Sequence, residues 1–377
     1  MNISRLLCWT VPIFLWNGFR LLLFVVSLTP GFFRFAWYYA VSADRVSVRY
    51  GQESIRQTLD VYRSAKRVPD EAGEHKCLLT GVNSPVLVFY TGGGWIIGYK
   101  MWGTLLARAL TAAGIVVVIP DLRNYPWAGA TVRDMVNDVD TSLEWTIKNI
   151  EQFGGDPSKI VVVGQSAGGH VAFMALLQKS RASLPSAPQD TIQSTQHQYR
   201  PTTWMPSSLK GFVSISSPFR LEAMQESFVK KGLDDQLVDR IFGHENEKYD
   251  PFLVIQEFRN TYQSERLFQE LPPIQIYHGT KDQTVPHETA EAFYEELRKH
   301  VTDEDRLSFI SYSGWSHTDP ILESPMEGDQ TLHRDLFHDV VKWTDSNDLT
   351  WPEHDPIISD PLCPQFMVDA GRFFNPF

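Results

Sequence analysis

Short apolar runs alternate with longer segments of helical periodicity along the middle of the chain. Residues 131–153 carry apolar side chains at helical spacing, and the Gly-Gly-Asp-Pro sequence at 154–157 ends that pattern, since glycine permits the left-handed backbone of a helix C-terminus. Runs of strand length and composition lie before and after it, at 85–90, 114–120, 161–163, 211–217, 272–279 and 307–312. This order predicts an α/β protein with a mostly parallel central sheet and helices on both faces.

The run at 161–163 leads into a Gly-x-Ser-x-Gly sequence, Gly164–Gln165–Ser166–Ala167–Gly168. Between a strand and a helix, this sequence is typical of a nucleophile elbow, in which small flanking residues allow a strained turn that presents the serine hydroxyl. The helical pattern that follows supplies that context, whereas an isolated match would fit a glycine-rich loop equally well. Ser166 is therefore the predicted nucleophile.

A second glycine sequence, Thr91–Gly92–Gly93–Gly94–Trp95, follows the strand pattern at 85–90. Esterases carry at this position a loop whose backbone N–H groups bind the oxyanion. Donors that are oriented in advance toward this developing charge are usually the largest catalytic contribution in acyl transfer. We predict that the N–H groups of Gly93, Gly94 and Ala167 form the oxyanion hole, the alternative being an ordinary glycine turn after a strand.

The serine needs a base and an orienting acid, which in this architecture follow in the order Ser, Asp or Glu, His. Asp282 lies just after the strand pattern at 272–279, and His317 lies in the loop after the alternating pattern at 307–312. Of the 11 histidines, only His317 combines a place after a strand with a place after a strand-end acid. Asp319 is the alternative acid, although capping of the next helix suits it better. The predicted catalytic residues are thus Ser166, Asp282 and His317.

Composition and charge limit the classes of ligand and cofactor that the protein is expected to bind. The formal net charge of −11 argues against nucleic acid. The 3 cysteines are too few and too scattered for a disulfide framework or a metal site, and no phosphate or dinucleotide motif occurs. Since Ser-His-Asp chemistry needs no added group, we predict no cofactor and no metal. A single large catalytic domain over residues 44–345 fits the 43% hydrophobic content.

The N-terminal region is apolar from residue 6 to residue 28 and then aromatic. Its length meets the span of a bilayer, and Trp and Tyr at its end suit the membrane interface. Arg20 at mid-span costs about 2.5–3.5 kcal/mol on insertion scales, so an in-plane anchor competes with a true span. We predict that residues 1–43 are a retained membrane anchor, with a cleaved signal peptide as the alternative.

Three further segments interrupt or follow the alternating pattern. Residues 181–208 are rich in Ser, Pro, Gln and Thr and predict a flexible insertion. Residues 218–262 are mainly helical and predict a small helical lid, although plain surface helices fit as well. Residues 346–377 predict a proline-rich tail that wraps the surface or is disordered.

Taken with Asp121–Leu122–Arg123–Asn124–Tyr125–Pro126 and Ser316–His317–Thr318–Asp319, the two glycine sequences resemble those of the isoprenylcysteine alpha-carbonyl methylesterases. These are membrane-anchored members of the hormone-sensitive-lipase-like branch of the α/β-hydrolase fold. The resemblance covers roughly residues 45 to 345. Its most specific feature is Thr91, where most esterases have His. Gly94 departs from the family, which would have Ala there, but the backbone donor is kept.

The resemblance implies a serine esterase that hydrolyses the methyl ester of a C-terminal prenylated cysteine. It also implies an enzyme bound to the membrane through its N-terminus, in the endoplasmic reticulum or Golgi, with the catalytic domain facing the cytosol. Because a prenyl chain is a large apolar ligand, Trp95, Trp127, Phe219 and Trp315 are candidate wall residues, with core packing as the alternative for each. A general carboxylesterase, a lipase or an arylformamidase on the same scaffold is the second hypothesis, and a non-catalytic binding protein is the third. The sequence does not specify an oligomeric state.

Overall fold

The structure is a computed structural model that describes residues 3–42, 44–63, 65–69, 75–79, 83–183, 204–258, 264–353, 355 and 360–377. Most of the predicted insertion at 181–208 therefore lies outside the described residues.

The central element is an eight-stranded sheet with two antiparallel strands at one edge and parallel pairing through the rest. The order across it is β1, β2, β6, β5, β7, β8, β9, β10, and a separate antiparallel hairpin is formed by β3 and β4. This confirms the predicted mostly parallel sheet. The strands are β1 (Arg45–Arg49), β2 (Thr58–Tyr62), β3 (Ala65–Pro69), β4 (His75–Leu79), β5 (Ser84–Tyr90), β6 (Val116–Pro120), β7 (Gly155–Gln165), β8 (Gly211–Ile215), β9 (Ile274–Gly279) and β10 (Leu307–Tyr312).

Helices connect the strands and extend the fold at both ends. They are α1 (Ile3–Ser27), α2 (Thr29–Val41), α3 (Thr104–Ala112), α4 (Val132–Asn149), α5 (Ala167–Ala182), α6 (Leu221–Lys230), α7 (Leu237–Ile241), α8 (Asn246–Tyr249), α9 (Pro251–Phe258), α10 (Ser264–Glu270), α11 (His287–Arg298), α12 (Glu323–Glu327), α13 (Thr331–Thr344) and α14 (Gln365–Phe374). The segment predicted as a lid thus contains α6 to α9, and the predicted tail contains α14.

Alternate residues of the central strands point to opposite faces of the sheet, and both faces are buried. In β5, Val86 and Val88 join the core on the side of α4, α5 and α11, whereas Leu87 and Phe89 join the core on the side of α3 and α13. A strand that is covered on both faces needs a continuous apolar run, which is the pattern that the sequence shows there. The carboxyl ends of the parallel strands are left to carry the functional loops.

The N-terminal helices are packed against the rest of the fold. Phe24, Leu28 and Phe35 are buried in a small apolar cluster with Met326 and with Val368 of α14. Within the part of the chain that the structure describes, no single helix is long and apolar enough to cross a bilayer. The α1–α2 pair meets the length and composition criteria only together, with a bend of 68° where the two helices meet.

Candidate active site

Ser166 stands at a sharp turn between β7 and α5. Its φ is positive, at +53°, with ψ −127°, a backbone conformation that is strained for any residue except glycine. A Cβ atom on Gly164 would lie 2.3 Å from the Cα of Gly169, and one on Gly168 would lie 2.2 Å from the carbonyl oxygen of Tyr90. The turn therefore requires glycine on both sides of the serine, which is why the Gly-x-Ser-x-Gly sequence forms it.

The loops after β9 and β10 are bonded to each other because these two strands are parallel neighbours. The N–H of Lys281 donates to the carbonyl of Trp315 at 2.9 Å, and the N–H of Thr280 donates to the carbonyl of Tyr312 at 2.9 Å. Gly279 permits this approach, since a Cβ there would lie 2.3 Å from the oxygen of Trp315. These bonds between the two loops bring Asp282 and His317 close to each other at the carboxyl edge of the sheet.

Ser166, His317 and Asp282 form a continuous hydrogen-bond chain. His317 Nε2 lies 2.9 Å from Ser166 Oγ, and His317 Nδ1 lies 2.7 Å from Asp282 Oδ2. All three residues are buried, with 5% to 7% of their surface exposed. Both distances fall within the range that proton transfer requires. The structure therefore brings together the three residues that the sequence singles out.

Asp282 is buried and fully hydrogen-bonded. Its Oδ1 accepts the N–H groups of Thr284 and Val285 at 2.9 and 2.8 Å, and its Oδ2 faces His278 Nε2 at 3.3 Å as well as His317. Burial opposes ionisation, but the interactions with His317 and His278 outweigh it and hold the pKa of Asp282 well below its usual value. Asp282 is thus a carboxylate at neutral pH, as an orienting acid must be.

The glycine loop lies beside the elbow in a conformation that only glycine adopts without strain at two successive positions. Gly93 has φ +131° and Gly94 has φ +58°. The N–H of Gly92 is bound by the side-chain oxygen of Gln165 at 3.1 Å. The described residues offer no acceptor to the N–H groups of Gly93 and Gly94, and the N–H of Ala167 opens the first turn of α5, where helical partners are lacking.

Trp95 anchors this loop to the interior. Its indole N–H donates to His170 Nδ1 at 3.3 Å, and His170 Nε2 in turn donates to the carbonyl of Tyr249 at 2.7 Å. This arrangement needs the neutral imidazole, and burial lowers the pKa of His170 to about 4. The rings of Phe228 and Phe242 pack edge-on against Trp95. Helices α6 and α7 therefore cover the glycine loop.

The four candidate wall residues have different environments. Phe219 is completely buried and stacks on Phe293 at 3.8 Å between ring centroids, so the structure places it in the core instead of a pocket. Trp95 is also buried, at 2% exposure, and serves as the loop anchor described above. Trp127 is 69% exposed, and Trp315 is half-buried against Tyr312. Only these last two have surface available to a ligand.

Asp319 is not a helix cap. Its Oδ2 accepts the N–H of Ser316 at 2.8 Å, and its Oδ1 accepts Nε of Arg372 at 2.7 Å, so it ties the His317 loop to α14. It does not contact His317 in the way that Asp282 does, and Asp282 is the acid that the geometry selects.

Sequence reasoning missed Gln165, which fixes the glycine loop, and His278, which shares the carboxylate of Asp282. Gln165 directly precedes the serine in the elbow sequence, and this position could have indicated a contact with the neighbouring glycine loop. His278 lies four residues before Asp282 at the end of β9, where parallel strand ends gather functional groups, but 11 histidines made it hard to single out.

Comparison with known proteins finds esterase relatives over most of the chain. The BD-FAE family model matches residues 79–297. A probable isoprenylcysteine alpha-carbonyl methylesterase of Oryza sativa is 33% identical over 93% of this chain and 75% of its own length, and the isoprenylcysteine alpha-carbonyl methylesterase of Arabidopsis thaliana is 30% identical over 94% and 75%. Esterase LipC of Mycobacterium tuberculosis is 27% identical over 75% of this chain.

Solved structures agree at the level of the fold. Esterase 2 of Thermogutta terrifontis superposes with a TM-score of 0.56 over 84% of this chain and 96% of its own, at 21% identity. The sheet order and the nucleophile elbow are those of an α/β-hydrolase esterase. On this evidence the chain belongs to the BD-FAE family and, within it, to the isoprenylcysteine alpha-carbonyl methylesterases.

Proposed function

We propose that this protein hydrolyses the α-carbonyl methyl ester of a prenylated cysteine, with Ser166 as nucleophile, His317 as base and Asp282 as orienting acid. The observation that carries the proposal is the hydrogen-bond chain Asp282–His317–Ser166 at 2.7 and 2.9 Å. The substrate class follows from the relatives named as isoprenylcysteine methylesterases, which align over nearly the whole chain.

The reaction begins when Ser166 Oγ attacks the ester carbonyl and its proton passes to His317 Nε2. The carbonyl oxygen then carries the negative charge of a tetrahedral intermediate. In our proposal the N–H groups of Gly93, Gly94 and Ala167 bind this oxygen, which agrees with the absence of other acceptors for them among the described residues. Asp282 stabilises the imidazolium that forms.

The intermediate collapses when His317 returns its proton to the methoxy oxygen and methanol leaves. Water then attacks the acyl-enzyme, gives a proton to His317, and a second tetrahedral intermediate releases Ser166 with its hydrogen restored. The products are methanol and a prenylcysteine carboxylic acid, which ionises at neutral pH. The net result is the return of a negative charge to the substrate.

We propose that α6 to α9 form a lid over the site and that Trp127 and Trp315 contact the prenyl chain. Phe228 of α6 and Phe242, which directly follows α7, pack on Trp95 of the glycine loop. Trp315 lies two residues before His317, and Trp127 lies in the loop after β6 at the same edge of the sheet. Both expose apolar surface on the edge that carries Ser166.

We propose further that α1 lies on a membrane surface, in the endoplasmic reticulum or Golgi, with the catalytic domain in the cytosol. Two of its polar residues, Asn17 and Arg20, turn inward: Asn17 donates to the carbonyl of Lys231 and Arg20 donates to that of Asn375. Its outward face is apolar and exposed, which is typical of a helix lying in the interface. That face consists of Val11, Phe14, Leu15, Phe19, Leu22, Val25 and Val26.

The proposal is tested by comparing kcat/KM for N-acetyl-S-farnesylcysteine methyl ester with that for N-acetyl-S-methylcysteine methyl ester. Both carry the same scissile bond, so the ratio measures recognition of the lipid alone. We expect the farnesyl substrate to be preferred by at least about tenfold, since an apolar chain of this size buries several methylene equivalents at about 0.8 kcal/mol each. Equal values would contradict the proposed substrate and leave the esterase mechanism intact.

A general carboxylesterase is the second candidate, and the 27% identity to esterase LipC of Mycobacterium tuberculosis favours it. It would use the same three residues with a different pocket. Faster turnover of a short p-nitrophenyl ester than of the farnesyl substrate, in kcat/KM, would support this candidate.

A further inference from the structure

The loop that carries His317 is held from outside by the C-terminal segment. Arg372 of α14 donates from Nε to Asp319 Oδ1 at 2.7 Å, and the other oxygen of Asp319 accepts the N–H of Ser316, the residue before His317. The two remaining nitrogens of Arg372 bind Glu327 at 2.6 and 2.5 Å. A guanidinium bound on three sides has one orientation, so Arg372 fixes the position of Asp319.

Asn375 holds the same loop on both sides of His317. Its side-chain nitrogen, with two hydrogens to donate, lies within hydrogen-bonding distance of Thr318 Oγ1 at 2.8 Å, Ser316 Oγ at 3.2 Å and Glu323 Oε1 at 2.6 Å. Asn375 and Glu323 are both buried, and burial raises the pKa of Glu323 to about 8. Burial thus favours the neutral form of the Glu323 carboxyl, which accepts the Asn375 amide through Oε1.

The loop that carries Asp282 is held by Lys231, which follows α6 and lies beside the C-terminal residue Phe377. Lys231 Nζ donates to Thr284 Oγ1 at 2.5 Å, and the N–H of Thr284 is one of the two that bind Asp282 Oδ1. The ammonium group also lies 5.4 Å from the ring of Phe377. Helix α1 joins this arrangement, because Asn17 donates to the carbonyl of Lys231 and Arg20 to the carbonyl of Asn375.

We infer that Arg372 and Asn375 are positioning residues that keep His317 within hydrogen-bonding distance of Ser166. The inference rests on the proposed role of His317 as base and is independent of the substrate. Neither residue lies in the Gly-x-Ser-x-Gly, glycine-loop or Ser-His-Thr-Asp sequences, and both lie in the segment predicted as a proline-rich tail. The C-terminal helix is thus part of the catalytic apparatus through its contacts with the His317 loop.

The expected effect follows from the geometry of proton transfer. His317 Nε2 lies 2.9 Å from Ser166 Oγ, and a displacement of about 1 Å takes the pair out of hydrogen-bonding range and can cost about 10²-fold in rate. Loss of one support should allow part of that displacement. We therefore expect Arg372→Gln and Asn375→Ala to lower kcat by about tenfold or more, with KM unchanged, because neither side chain contacts the proposed substrate site.

The test uses the full chain in detergent and a short p-nitrophenyl ester, at a temperature well below the unfolding transition of every variant. Measured quantities are kcat, KM and the rate constant for labelling by a fluorophosphonate, each normalised to folded protein. Arg372→Lys keeps the charge but loses the fork geometry, and we expect it to recover part of the lost kcat. Arg334→Gln is the matched control. Arg334 forms an exposed ion pair with Glu353, with 3.8 Å between the charged atoms, and among the described residues it has no bond to those around His317.

A parallel fall in kcat and in the labelling rate, with unchanged KM and an unaffected Arg334→Gln control, supports the inference. Unchanged kcat in folded Arg372→Gln and Asn375→Ala, a change confined to KM, or an equal loss in the control would overturn it. If either variant does not fold, Arg20→Gln, which removes the bond to the Asn375 carbonyl, and Arg372→Lys take its place, and the same changes in kcat, KM and labelling rate decide. Failure of the prenylcysteine proposal would leave this test standing, because the short ester reports on the triad alone.

Discussion

Replacing Gly168 by alanine should separate the nucleophile from the glycine loop. The new Cβ would lie 2.2 Å from the carbonyl oxygen of Tyr90 and 2.6 Å from that of Thr91, the two residues that precede Gly92. Restoring ordinary contact requires a movement of about 1 Å between the start of α5 and the end of β5, and misplacement of this size can cost about 10²-fold in rate. The strain should also lower the free energy of unfolding by about 1–3 kcal/mol.

The assay is kcat on a short p-nitrophenyl ester, together with denaturant unfolding of the same samples. Gly129→Ala is the control. Gly129 has φ +71°, and a Cβ there would meet no neighbouring segment of the described chain within 4 Å. Backbone strain should therefore lower its free energy of unfolding by about 1–2 kcal/mol without moving the site. We expect kcat to fall about 100-fold in Gly168→Ala and to stay unchanged in Gly129→Ala. A folded Gly168→Ala protein with kcat within about threefold of the parent would refute this reasoning.

Three further outcomes are expected. Phe219→Ala should lower the free energy of unfolding by about 3–5 kcal/mol, because the ring is buried against Phe293, and should leave KM for a farnesyl ester unchanged; a raised KM without lost stability would put Phe219 back in the pocket. Burial raises the pKa of Glu323 from 4.5 to about 8, so the folded protein keeps a proton that the unfolded chain loses, and stability falls as pH rises across that window. Glu323→Gln should therefore gain stability relative to the parent between pH 5 and pH 8 in thermal unfolding, and a pH-independent difference would contradict the assignment. Asp282→Asn should cost orders of magnitude in kcat alone but little more when added to Ser166→Ala, and additive losses in the double variant would exclude a single catalytic unit.

The parts of the fold that the sequence predicts are those encoded by neighbouring residues. The buried run at 161–163, the glycines around Ser166 and the helical pattern after them are contiguous, so the elbow can be recognised without knowledge of the rest. Asp282 and His317 lie 35 residues apart, but each follows a strand pattern, and parallel neighbouring strands bring their ends together. Local pattern and topology were sufficient to predict that Ser166, Asp282 and His317 lie together.

The parts that the sequence did not predict depend on contacts between distant segments. Phe219 follows a strand in the same way as a pocket residue would, and only its stacking on Phe293 distinguishes core from pocket. Arg372 contacts Asp319 across 53 positions of chain, and a proline-rich segment gives no sign of such a role. The apolar N-terminal stretch predicts a retained membrane anchor, and nothing in its pattern indicates that Phe24 and Leu28 are buried against the rest of the fold.

The most direct test of the account is the site of fluorophosphonate attachment, followed by peptide mass spectrometry, in the presence and absence of N-acetyl-S-farnesylcysteine methyl ester. We predict one adduct, on the peptide that contains Ser166, forming more slowly as the farnesyl ester approaches saturation. Release of methanol from that ester should decline in proportion to the fraction of Ser166 labelled. An adduct on another serine, or methanol release that persists after complete labelling of Ser166, would contradict the account.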